Sequence, residues 1–199
     1  MINENFVFLG SVIFALGSVP YFLDTIKGKV KPNRVTWFIW SIAPLIAFSA
    51  QIKEGVGIHQ SLLTFTVGFV PLVIFIASFV NKKSYWQLGR LDLSCGALSL
   101  IGLVLWIATG TGLIAIFFAI IADGLAAFPT VIKSFKFPET ENWVIYFAAS
   151  ISALITLFTI KVWDFETFAF SLYIFLLTLM LSGLIKFRLG QRIQKSFPN

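Results

Sequence analysis

Seven times along this chain a run of about 20 residues carries almost no charge, which is the length a helix needs to cross the hydrocarbon core of a bilayer. The runs cover approximately residues 6–26, 34–52, 58–80, 91–108, 112–133, 142–160 and 167–185. Together they take up about 140 of the 199 residues, and the connectors are too short to fold as another domain. Composition excludes the alternatives. The chain is 58% hydrophobic and 12% charged, with a mean hydropathy of +0.90, whereas a soluble domain is about a quarter charged. Such a chain cannot cover itself with polar surface, and disorder requires the opposite bias. The lone Cys95 can form no internal disulfide and has no CxxC partner. The single His59 removes most metal sites and Ser/His catalytic schemes. The expected class is an all-α polytopic membrane protein that is not an enzyme and holds no metal or cofactor.

The placement of basic residues sets the expected orientation, because Lys and Arg are enriched in cytoplasmic loops. Of the 15 Lys and Arg residues, all but Lys53 and Lys161 fall on one side of this arrangement. They are Lys27, Lys29, Lys31 and Arg34; Lys82, Lys83 and Arg90; Lys133 and Lys136; and Lys186, Arg188, Arg192 and Lys195. This places the N-terminus outside and the C-terminus in the cytoplasm of a multi-pass cell-membrane protein. The basic tail then serves topology or anionic lipid rather than nucleic acid. The first run is a true helix rather than a signal peptide, since Met1 to Asn5 contains Glu4 and no basic residue.

The chain also repeats itself. Residues 15–20 read Ala-Leu-Gly-Ser-Val-Pro, and residues 124–129 read Gly-Leu-Ala-Ala-Phe-Pro. After Pro20 and Pro129 come Thr25 and Lys27 in one copy, Ser134 and Lys136 in the other. A second proline then precedes an aromatic pair: Pro32, Trp37 and Trp40 against Pro138, Trp143 and Tyr146, about 106 to 109 residues apart. Each copy holds three helices and the fourth is left as a linker, so both copies point the same way across the membrane. The expected division is 1–80 for the first bundle, 81–110 for linker helix 4, and 111–199 for the second bundle with its basic tail.

With these residues the chain resembles the PQ-loop superfamily that includes the SWEET and SemiSWEET transporters. The resemblance covers the 3+1+3 layout and is closer in the second copy, through Pro129, Lys133, Ser134, Thr140, Glu141, Asn142 and Trp143. The Gln that names the motif is Tyr21 in one copy and Thr130 in the other. Residues 58–80 and 167–185 contain no Asn, the residue that SWEET-type sugar sites use in the third helix of each bundle. What the resemblance implies is therefore the fold and transport, without a copied sugar site.

Asp123 is the most informative single residue. It lies near the middle of the fifth run, where an ionised carboxylate costs at least ~2.5 to 3.5 kcal/mol. It persists there only if it faces a wet cavity, finds donors or stays protonated. Asp123, Thr130 and Ser134 fall on one helical stripe. The functional reading is a solute or proton contact in a central cavity, and the structural one is a carboxyl that ties two helices together. Trp37, Trp40, Trp143 and Tyr146 read either as an interfacial aromatic belt or as cavity wall. Pro20 and Pro129, with Pro44 in the second run, break backbone hydrogen bonds and serve as hinges or fixed kinks. Gly10, Gly17, Ser18, Gly96 and Gly102 allow helices to approach closely.

The expected function is alternating-access transport of a small polar solute, with proton coupling one form of it, in contact with lipid and with no nucleic-acid partner. A second copy of the chain is an open partner. The alternative is a non-transporting receptor or trafficking protein of the same fold.

Overall fold

The computed structural model describes residues 2–53, 58–109 and 113–196. The side chain of His59 and the turn at 110–112 lie outside the described residues. Eight α-helices run through the described residues: α1 (Phe6–Ile26), α2 (Arg34–Lys53), α3 (Ile58–Ala77), α4 (Arg90–Thr109), α5 (Leu113–Lys136), α6 (Trp143–Thr159), α7 (Phe165–Lys186) and α8 (Leu189–Ser196). Seven of them follow the seven apolar runs, with ends displaced by a few residues. The eighth is a short basic helix in the segment expected only as a tail.

Four stretches are long and apolar enough to cross a membrane: Phe6–Ile26, Arg90–Thr109, Ile116–Lys136 and Thr167–Lys186. The helices α2, α3 and α6 contribute shorter apolar stretches. Large apolar side chains stay exposed on the outer faces, Leu16 at 67% and Val104 at 63%, so water is a poor solvent for this surface. The chain is accordingly a candidate multi-pass membrane protein.

Helix ends are fixed by side chains rather than by propensity. The Asn33 carboxamide oxygen accepts from the Val35 N–H (3.1 Å) and starts α2, and that of Asn142 accepts from the Val144 N–H (2.9 Å) and starts α6. Both satisfy backbone donors that a helix leaves orphaned. Each cap also reaches across the bundle with its amide nitrogen. Asn33 donates to Asp92 of α4 (2.5 Å) and Asn142 to Asp24 of α1 (2.8 Å). At the C-terminal end of α1, Gly28 turns the chain with φ +75°, a conformation that costs glycine little. The loop after α3 then binds the freed carbonyls: Asn81 donates to Ile26 (2.9 Å), and Ser84 to Thr25. The run expected to reach residue 80 stops being helical at Ala77. There the Arg34 guanidinium donates to the Ser78 carbonyl (2.8 Å) and hydroxyl (3.1 Å).

Between helices, small residues set the spacing. The principal helix contacts are α1 with α6, α2 with α3, α4 with α5 and α6 with α7, with α1 on α3 and α5 on α7 beside them. A Cβ placed on Gly17 would lie 2.2 Å from the Ala148 Cβ, and one on Gly96 2.5 Å from Val35. Lipid tails are as apolar as leucine, so such close packing is a principal source of helix association in a bilayer. Gly17→Ala is therefore expected to lower stability by about 1–3 kcal/mol, because α1 must move off α6. Gly183→Ala, where a Cβ meets nothing within 4 Å, should be neutral or mildly stabilising. Thermal unfolding of the two variants in detergent checks this; equal midpoints would refute the close-contact seam.

Candidate functional site

A cavity of about 530 Å3 lies within the bundle. It extends from the level of Trp37 and Tyr146 toward the helix ends where Ala47, Trp106 and Thr156 lie. Its wall is mostly apolar and aromatic, with Pro44 of α2 and Pro71 of α3 on one side and Ile145, Ala149 and Phe170 on others. A pocket of this size and lining is typical for small-molecule sites.

Asp123 lies in that wall. Its carboxylate accepts one hydrogen bond among the described residues, from the Tyr173 hydroxyl of α7 at 2.8 Å. The Trp40 indole lies beside it, but its Nε1–H is buried and makes no hydrogen bond among the described residues. Among the described residues the wall contains no Lys or Arg.

The cavity ends on a layer of rings. Trp37 and Tyr146 are each 2% exposed and Tyr21 is fully buried. Ring centroids lie 5.1 Å apart for Tyr21 and Trp37, 5.4 Å for Trp37 and Trp40, and 6.3 Å for Tyr21 and Tyr146. Edge-on and tilted pairs at such distances are favourable. Counted from its N-cap, Trp37 is the fourth residue of α2 and Tyr146 the fourth of α6. Trp37 and Tyr146 thus hold the same place relative to their helix starts, whereas Trp143, matched to Trp37 by its spacing from the preceding proline, is the first residue of α6. Trp143 starts α6 a turn away from the cavity, packed on Phe147 (5.9 Å) and under the Lys186 ammonium (4.2 Å).

Beneath the rings is a buried polar cluster. Glu141, from the turn before α6, accepts from Tyr21 (2.8 Å) and Tyr146 (3.0 Å) on one oxygen and from the Lys133 ammonium (2.5 Å) on the other. Lys133 also donates to the Lys31 carbonyl, and its ammonium lies 5.0 Å from the Trp86 ring centre. Both charged side chains are fully buried. The cluster joins α1, the α1–α2 loop, α5 and α6. A buried ion pair repays its desolvation only when its remaining donors and acceptors are also satisfied, and here three donors converge on one carboxylate.

Thr130 faces α2 instead of the cavity. Its hydroxyl donates to Thr36 (3.0 Å), which in turn donates to the Ala126 carbonyl (2.7 Å). Of the hinge candidates, Pro44 lies in the cavity wall, Pro129 is buried and Pro20 is exposed; α1 and α5 continue through their prolines.

Asp123, Trp37, Trp40, Tyr146 and Pro44 thus meet at one cavity, while Thr130, Trp143, Pro20 and Pro129 lie off its wall. Tyr173 carries no signal in the sequence, and Tyr21 enters it only as a motif departure. Lys133, read both as a basic residue of the inner side and, with Glu141, as a motif residue, lies inside α5. Among the described residues no group of three His, Cys, Asp or Glu could hold a metal ion. No protein-family model, curated protein or solved structure matches the chain.

Proposed function

We propose that this protein carries a small solute across a membrane by alternating access, with a SWEET-like arrangement of two three-helix bundles and a linker helix. Support for the bundles comes from the contacts. In each trio the third helix touches both others, α3 with α1 and α2, and α7 with α5 and α6, while α4 packs on α5 and α2. The matching caps at Asn33 and Asn142, and the matching rings at Trp37 and Tyr146, follow the same division.

The observation that carries the transport reading is a mid-bundle cavity with a carboxylate in its wall, closed at one end by a buried, hydrogen-bonded cluster. With the basic loops in the cytoplasm, that seal is the inner gate and the cavity faces outward. Passage then requires Lys133, Glu141, Tyr21 and Tyr146 to part and the opposite end to close. Bends at Pro20, Pro129 and Pro44 would accompany that exchange. Asp123 meets the solute or a proton on the way.

Purified protein in proteoliposomes, given labelled sugars, amino acids and vitamins, should show saturable uptake of at least one solute, and Asp123→Asn should reduce it. A solute that binds without any flux would replace transport with the receptor reading.

A further inference from the structure

We propose that the solute is a small organic monocation with a flat or methylated apolar body, held between the Asp123 carboxylate and the aromatic faces of Trp37, Trp40 and Tyr146. The assignment deepens the transport reading and takes its cavity from it. Charge decides the sign. Asp123 is the one acid in the described wall and faces no basic side chain there. An anionic solute would meet repulsion, whereas a cation supplies the missing countercharge in a place where an isolated carboxylate is costly.

Hydrogen-bonding capacity argues against a polyol. Of the five Ser and Thr hydroxyls in the described wall, those of Thr156 and Thr178 already donate to carbonyls of their own helices, at 3.0 Å to Ser152 and 2.7 Å to Ile174, which leaves Thr64, Ser152 and Ser171. Most of the remaining lining is apolar, so a solute with many hydroxyls would exchange its water for too few partners. Metal cations fit no better, since Ca2+ takes six to eight oxygen ligands and Mg2+ an octahedron. One carboxylate cannot provide either.

The rings supply the other half of the site. Trp37 and Trp40 stand at 84° to one another, forming an aromatic corner, and Tyr146 lies at 37° to Trp37. A cation within about 6 Å of such ring faces is attracted by their quadrupoles, and cages of this kind recognise quaternary ammonium groups. A compact, strongly hydrated ammonium would give up more solvation on entering an apolar wall than a delocalised or methylated cation. The chemistry therefore favours quaternary or aromatic nitrogen.

Binding to purified wild-type protein in detergent, by calorimetry and thermal shift, tests the assignment with choline, N-methylpyridinium, 3,3-dimethyl-1-butanol (the neutral isostere of choline) and benzoate. Choline or N-methylpyridinium is expected to bind about 30-fold or more tightly than the isostere, with benzoate silent. Asp123→Asn should lose the same factor, and Trp40→Leu should weaken the cations more than the isostere. Equal binding of choline and its isostere, preference for benzoate, or no binding by either cation would overturn the assignment. The wild-type comparison holds even if a variant fails to fold. Proteoliposome uptake separates the two claims. Cation binding without flux upholds the site and removes transport, while flux of a neutral solute that neither cation inhibits upholds transport and removes the site.

Discussion

Glu141→Ala should destabilise the protein by about 3–5 kcal/mol, among the largest effects available to a single substitution here. The Lys133 ammonium is fully buried, and without Glu141 it keeps the Lys31 carbonyl as its hydrogen-bond partner among the described residues. The Tyr21 and Tyr146 hydroxyls lose their acceptor in the same stroke. Removing both charges should hurt much less than removing one, because apolar replacement of a whole buried pair is often close to neutral. Lys133→Met with Glu141→Leu is therefore expected to recover the part of the loss due to the unpaired charge, while adding Tyr21→Phe and Tyr146→Phe, which removes the orphaned hydroxyls, should recover more. Unfolding midpoints of the single and double variants decide it. A single-variant cost below about 1 kcal/mol, the range of exposed pairs, would mean that water reaches the cluster.

Trp37→Ala should cost about 3–5 kcal/mol, as aromatic-to-alanine truncations in packed cores do. The ring is 2% exposed and touches Tyr21, Trp40 and Tyr146, so no neighbour can collapse into the void without leaving another. Trp37→Phe should retain more than half of the lost stability. Its indole N–H has no hydrogen-bond partner among the described residues, so a phenyl ring forfeits mainly area. Trp163→Ala, at a position 59% exposed, should be near neutral. If Trp37→Ala and Trp163→Ala unfolded together, Trp37 would not be the packed floor of the cavity. Under the transport reading the same truncation also opens a path from the cavity to the polar cluster, and would give a leak in proteoliposomes.

The parts of this molecule that the sequence made legible are those that depend on local physics. Apolar runs of bilayer length marked seven helices because length and composition alone decide them. Asp123 stood out because a carboxylate in such a run is costly. Gly17 and Gly96 were readable as close contacts because nothing else explains glycine in a helix. The remainder rests on contacts between distant segments. Tyr173 reaches Asp123 from fifty positions away, and no periodicity connects them. Lys133 and Glu141 stand together among the motif residues, but their ion pair exists only because a turn brings Glu141 back onto α5. Spacing from Pro32 and Pro138 pairs Trp37 with Trp143, while counting from the helix-start residues Asn33 and Asn142 pairs Trp37 with Tyr146. The helix α8 was missed because its eight residues are too polar to form an apolar run.

The polar ties described above are distributed unevenly along the bundle axis. Asn33 with Asp92, Asn142 with Asp24, Arg34 with Ser78, and the Glu141 cluster all lie at one end. At the other, the ion pair among the described residues joins the exposed Lys161 and Glu4 (3.3 Å). Among the described residues the molecule is thus built like a tulip: bound tightly by oriented polar ties at the base of the petals, with fewer of them at the rim. Parting the base requires several oriented bonds to fail together, which makes the two halves of any opening cycle unequal in barrier.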